Sequence, residues 1–121
     1  MQLPQLPSTD PVSDKILTNV WKKISDKPIP EVYAFTFDDR DFLRMVNLLQ
    51  TTPGMISTRG EYGLGFDNKN VEARTFQFKD TFIILIKQDA PLSDCLEHEL
   101  RQIKFWTLIL LNKKRGRGIK I

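Results

Sequence analysis

The amino-acid sequence predicts an α+β fold in which three helices pack against a small antiparallel or mixed sheet of three to four strands. Two observations support this prediction. Apolar residues recur at helical spacing in three segments. Other segments alternate between two kinds of residue or are apolar throughout, and both patterns are typical of β-strands. A chain of 121 residues with 40% hydrophobic residues is long enough to bury one core and too short for two.

The chain divides into three parts by composition. Residues 1–11 contain Pro4, Pro7 and Pro11, so we expect a disordered arm there. We place a single domain at residues 12–112 and a basic tail at residues 113–121. No apolar run approaches the roughly 20 residues that span a bilayer, so we expect no membrane contact. A single cysteine, Cys95, excludes an internal disulfide and favours a cytoplasmic location.

Capping residues define the first two predicted helices. Asp10 is a candidate N-cap with proline after it, and apolar residues then recur at helical spacing over Val12–Ser25. Asp38 is the candidate cap of the second helix, which Pro53 and Gly54 close. Because the acidic residues around Asp38 lack the spacing of a calcium-binding loop, capping explains them better than a cation site does.

Four segments are predicted as strands. Residues Glu31–Phe37 alternate in character, with aromatic residues at every second position. Residues Met55–Phe66 form a weak strand interrupted by glycines. The segments Val71–Phe78 and Thr81–Lys87 form a hairpin, and the second of them is apolar on both faces, as a central strand is. From this order of elements we expect the helices to pack on one side of the sheet.

The basic residues are concentrated at the C-terminus. The chain has a net charge of +3. Removing the five basic residues of the tail leaves 13 basic against 15 acidic residues, so the remainder is slightly acidic. This distribution argues against a nucleic-acid-binding face spread over the fold and leaves the tail as the candidate. The tail residues concerned are Lys113, Lys114, Arg115, Arg117 and Lys120.

The third predicted helix begins near Asp89 or Ser93 and runs to about Asn112, directly after a buried strand. It contains the sequence Leu-Glu-His-Glu-Leu-Arg-Gln-Ile, with His98 and Glu99. This segment resembles the active-site helix of the zincin metallopeptidases, the H-E-x-x-H family, in sequence and in the order strand, loop, helix. The resemblance covers about residues 71–103. It implies a zincin-like core, with His98 as a zinc ligand and Glu99 as the general base.

The metal site that this resemblance implies is incomplete. Gln102 stands where the family has its second histidine, and no Asp, Glu, His or Cys occurs in residues 103–121, where the third ligand is expected. Asp94 and Cys95 lie within one turn of His98 and are weak candidate ligands. We therefore expect no cofactor, with zinc as the alternative, and a chain that leans towards being non-catalytic.

The leading functional hypothesis is a zincin-like domain with an incomplete metal site that binds a peptide or protein partner at a sheet edge. One alternative is a small nucleic-acid-associated protein that uses its basic tail. Another is an active metallopeptidase whose missing ligands come from elsewhere. A fourth interpretation takes His98 and Glu99 as ordinary polar residues of a helix. The apolar last helix, with Phe105 and Trp106, also suggests a homodimer.

Overall fold

A computed structural model of the chain describes residues 10–57 and 72–119, and the side chains of residues 11–57 and 72–108. The described residues form three helices and five strands. The helices are α1 (Asp14–Ile24), α2 (Asp39–Gln50) and α3 (Leu92–Ile119). The strands are β1 (Asp10–Pro11), β2 (Glu31–Phe37), β3 (Met55–Ser57), β4 (Ala73–Phe78) and β5 (Thr81–Lys87).

The strands form one mixed sheet in the order β1-β2-β5-β4-β3. Strand β2 is parallel to β5, with Ala34 opposite Ile84, and the other three pairings are antiparallel. Because β1 has only two residues, four longer strands make up most of the sheet. The predicted α+β class, with a small mixed sheet and three helices, is confirmed.

Helices cover both faces of the sheet, so the prediction that they pack on one side is wrong. On one face, Ile84 and Ile86 of β5 pack in a core with α1 and α3. On the other face, Ile83 and Leu85 of the same strand pack in a second core with α2. Successive side chains of a strand point to opposite faces, and those of β5 are apolar on both. Each face therefore needs its own helical cover.

The first helix begins later than predicted. Its N-cap is Ser13, not Asp10. The segment Asp10–Pro11 instead pairs with β2 as a short edge strand, and the Val12 amide donates to the Ala34 carbonyl at 2.8 Å. Proline lacks an amide donor, so it is tolerated at a sheet edge as readily as in a first helical turn.

The second helix and the start of the third strand agree with the sequence prediction. The Asp38 carboxylate caps α2 by accepting from the Asp41 amide at 2.8 Å. Helix α2 ends at Gln50, before the predicted proline and glycine. Strand β3 begins at the predicted residue, Met55. The rest of that predicted strand, with its glycines, lies outside the described residues.

The predicted hairpin of β4 and β5 is confirmed, and its turn contains a residue in the left-handed region. Lys79 has a φ of +54°, a conformation that costs an L-residue about 1 kcal/mol. Its ammonium group also lies 5.5 Å from the centre of the Phe78 ring, an exposed contact worth about 0.5 kcal/mol. We therefore expect Lys79→Gly to raise the free energy of unfolding by about 0.5 kcal/mol in urea denaturation. Asp80→Gly, at a position without positive φ, should lower it.

Helix α3 starts one residue from Ser93, one of its two predicted starts, but ends later than predicted. It starts at Leu92, and the carbonyl of Pro91 accepts from the Cys95 amide at 3.0 Å, so the proline precedes the first turn. At the other end the helix continues past Asn112 to Ile119. The backbone of the predicted basic tail, up to Ile119, is therefore a continuation of α3.

Candidate functional site

The two residues that carry the zincin resemblance have different environments on α3. His98 is exposed, whereas Glu99 is only 2% exposed. The Glu99 carboxylate accepts a hydrogen bond from the Thr75 hydroxyl of β4 at 2.6 Å, in the layer between α3 and the sheet. Glu99 is therefore tied to the sheet, and its role in the described geometry is to join α3 to β4.

The other predicted ligand positions are arranged around His98 without converging on it. The Gln102 side-chain nitrogen lies 3.0 Å from Nε2 of His98, across one helical turn. Asp94 is exposed and Cys95 is buried. Burial raises the pKa of the Cys95 thiol, and nearby carboxylates, including that of Glu99, raise it further, which disfavours the thiolate that binds metals.

This arrangement does not fit a three-ligand zinc centre within the part of the chain that the structure describes. Across residues 11–57 and 72–108, whose side chains the structure describes, no three His, Cys, Asp or Glu side chains come together as a metal-binding group. A catalytic zinc usually needs three protein ligands and an open position for water. The described donors near His98 therefore give no basis for a hydrolytic step.

A different feature of the fold combines a groove with open backbone groups, at the outer edge of β2. The Ala34 carbonyl accepts from Val12, so the peptide groups of Ala34 face away from β5. Backbone direction repeats every two residues along a strand, so the N–H and C=O of Val32 face the same outer edge. Strand β1 pairs only with Phe35 and Thr36, and no described residue pairs with Val32 on that side.

A groove of about 310 Å³ runs along this open edge, between α1 and the first half of β2. Part of its wall is apolar, and the remainder carries hydroxyl and carboxylate groups but no basic residue. It is lined by Asp14, Leu17, Thr18, Ile29, Pro30, Glu31, Val32 and Tyr33. We refer to this surface as the edge groove.

Hydrogen bonds fix the Glu31 carboxylate at the edge groove. The Tyr33 hydroxyl donates to its Oε2 and the Thr81 hydroxyl donates to its Oε1, each at 2.8 Å. These bonds, that of Tyr33 first, lower the pKa of Glu31, and the same bond and charge raise the pKa of Tyr33. Asp14 also raises the pKa of Tyr33. The carboxylate is therefore held ionised and oriented near neutral pH.

A second groove, of about 460 Å³, lies between the C-terminal end of α1 and the middle of α3. Its walls are held together by polar contacts. The Trp21 indole donates to the Lys27 carbonyl at 2.7 Å, and the Lys104 ammonium donates to the Ile24 carbonyl at 2.6 Å. The first hydrogen bond links α1 to the loop before β2, and the second links α3 to the end of α1.

The remaining predicted residues, except Lys120, lie on α3. Lys113, Lys114, Arg115 and Arg117 fall within the helix, but their side chains, and all of Lys120, are outside the described part. The nucleic-acid contact predicted for these five basic residues therefore stays a prediction. Trp106 is buried in the core, whereas Phe105 is 50% exposed. A homodimer through the exposed side of α3 also stays a prediction.

The edge groove is not among the sequence predictions. The predicted bounds of β2, Glu31–Phe37, are correct, but whether a strand lies at an edge depends on its neighbours in the sheet. A signal was available, because Pro28 and Pro30 precede the strand and Glu31 begins it. Proline and charged residues are typical of edge strands, which must avoid indiscriminate pairing.

Comparisons with known proteins do not identify a family for this chain. No protein-family model, no curated protein and no solved structure matches it.

Among the described helices, none is both long enough and apolar enough to cross a membrane.

Proposed function

We propose that this domain is a non-catalytic peptide-binding module that adds an extended segment of a protein partner to the outer edge of β2. The observation that carries the proposal is the outward-facing peptide group of Val32, unpaired among the described residues and bordered by the edge groove. An N–H and a C=O at an open sheet edge are the groups that strand addition uses.

The position of β1 supports this mode of binding. Strand β1 pairs antiparallel with the second half of β2 and ends at Pro11, after which the chain turns into α1. A bound segment would continue the sheet along the first half of β2, which β1 leaves open. Leu17 and Thr18 of α1, with Ile29, then provide a wall for its side chains on one face of the sheet.

The energetics favour a modest affinity. Each main-chain hydrogen bond contributes about 0.5–1.5 kcal/mol net, and an extended peptide loses conformational entropy when it is ordered. Apolar burial against the half-buried Ile29 supplies the remainder, at about 25 cal/mol per Å². A short segment of a flexible partner is the class of ligand that this balance fits.

This proposal keeps the function expected from the sequence but moves its location. The zincin resemblance suggested an edge beside the helix with His98, whereas the edge groove lies beside α1. A zincin-like relationship, the metallopeptidase and nucleic-acid alternatives, and a cytoplasmic location all stay predictions.

Selection from a library of short random peptides displayed on phage tests the proposal, with the full chain as the target. Thr18→Tyr places a large ring in the edge groove, so we expect peptides enriched on the natural chain to lose most of their binding to this variant. Asn19→Tyr is the matched control, because Asn19 is the next residue of α1, is exposed and does not line the groove. It should bind the same peptides normally.

Two outcomes would contradict the proposal. One is a selection that enriches no peptide above a resin without protein. The other is a set of peptides that bind Thr18→Tyr and the natural chain equally well, because their site then lies elsewhere. Circular dichroism and urea denaturation of both variants test whether the fold is retained.

A further inference from the structure

We propose that the segment bound at the edge groove is basic, with a Lys or Arg side chain held against Glu31 and Tyr33. This inference rests on the proposed function and specifies the chemistry of its partner. It follows from the charge of the groove, the state of one carboxylate and the position of one aromatic ring.

The charge of the groove is uncompensated. Its lining contains two carboxylates, those of Asp14 and Glu31, and no Lys or Arg. The ion pairs found in the described residues join Arg44 to Asp41 and Arg101 to Glu97, none of which lines the groove. A cationic side chain in the groove would therefore be attracted by two negative charges, with no Lys or Arg in the lining to compete for them.

The Glu31 carboxylate is already oriented for contact with a cationic side chain in the free protein. Two hydroxyl donors, one on each oxygen, fix its orientation. A carboxylate has about four acceptor positions, so capacity remains for an ammonium or guanidinium group. Because the two hydroxyls already order the Glu31 carboxylate, the binding of a cation costs less conformational entropy of the Glu31 side chain.

Tyr33 supplies the second part of this contact. Side chains alternate along β2, so Glu31 and Tyr33 lie on the same face of the sheet while Val32 points to the other. Tyr33 is 43% exposed, which leaves part of its ring open to solvent. An added strand places every second side chain on that face, where a cation can stack on the ring and reach Glu31.

Asp14 lies on the α1 side of the same groove. It is exposed in the first turn of α1, and its charge is close enough to raise the pKa of Tyr33. It therefore adds to the negative potential without needing direct contact. The favoured ligand is an extended segment with at least one basic residue among β-forming ones.

The test repeats the phage selection with Glu31→Gln as a second target. We expect Lys or Arg to be over-represented at one position of the peptides enriched on the natural chain and to lose that preference on Glu31→Gln. A synthetic peptide from the first selection should bind Glu31→Gln about 1.5- to fivefold more weakly, the range of an exposed ion pair. Its affinity for the natural chain should also fall as salt rises.

Asp14→Asn and Asp39→Asn form the matched pair of controls. Each removes one exposed carboxylate from the first turn of a helix, α1 or α2, but only Asp14 lines the edge groove. We expect weaker binding for Asp14→Asn and unchanged binding for Asp39→Asn. Enrichment of peptides without a basic preference would overturn this inference and leave strand addition standing. Failure to enrich any peptide would overturn both.

Discussion

Replacing Glu99 by Ala is expected to lower the free energy of unfolding by about 2–3 kcal/mol. The side chain is 2% exposed and fills space between α3 and β4, and its carboxylate accepts the Thr75 hydroxyl at 2.6 Å. Removal of a large buried side chain leaves a cavity, and the loss of a buried hydrogen bond adds to that cost. Urea denaturation followed by circular dichroism measures the change.

His98→Ala is the control for this prediction, because it removes the neighbouring residue of the same motif. His98 is exposed, and its side chain contacts Gln102 on the same helix at 3.0 Å. We expect a change of no more than about 0.5 kcal/mol, the usual effect of a surface substitution. Equal stability losses for His98→Ala and Glu99→Ala would contradict the described roles. A metallopeptidase would instead lose hydrolysis in both variants.

The largest stability loss is expected for Trp106→Ala, at about 3–5 kcal/mol. Trp106 is 2% exposed and belongs to the core between α1, α3 and the sheet. Truncation of a buried tryptophan removes its apolar surface from that core and leaves a cavity that helices cannot fully close. A loss of this size is a large part of the 5–15 kcal/mol that stabilises a typical domain.

Phe105→Ala is the control for Trp106→Ala. It tests whether the stability loss depends on the burial of the side chain or only on the removal of a large aromatic ring. Phe105 precedes Trp106 on α3 but is 50% exposed. We expect its replacement to cost no more than about 1 kcal/mol, because half of the ring is already in water. Similar losses for the two variants in urea denaturation would show that the exposed side of α3 is covered in solution. That result would favour the homodimer predicted from the sequence.

Local signals in the sequence were enough to predict most of the elements. The bounds of β2 and β5 were predicted correctly, because alternation in one and a two-sided apolar run in the other are strong signals. The Asp38 cap was also confirmed, because an N-cap depends only on neighbouring residues. The start of α1 was wrong, because Pro11 suits an edge strand as well as a first helical turn.

The candidate site could not be predicted in the same way, because it depends on which strands become neighbours. Strand β2 pairs with β5, some fifty positions away along the chain, and that pairing brings Thr81 to Glu31. The edge at Val32 exists only because β1 stops at Pro11. His98 and Glu99, in contrast, form a linear motif that the sequence alone shows. Their different burial depends on which side of α3 faces the sheet, and a linear motif does not contain that information.

Strand addition at the outer edge of β2 can be tested by amide hydrogen exchange at Val32. In the free chain, we expect fast exchange for the Val32 amide and slow exchange for the Tyr33 amide, which faces β5. A peptide enriched by selection should slow exchange at Val32 by at least about tenfold and leave Tyr33 unchanged. Slow exchange at Val32 in the free chain, or exchange that no bound peptide alters, would contradict strand addition at this edge.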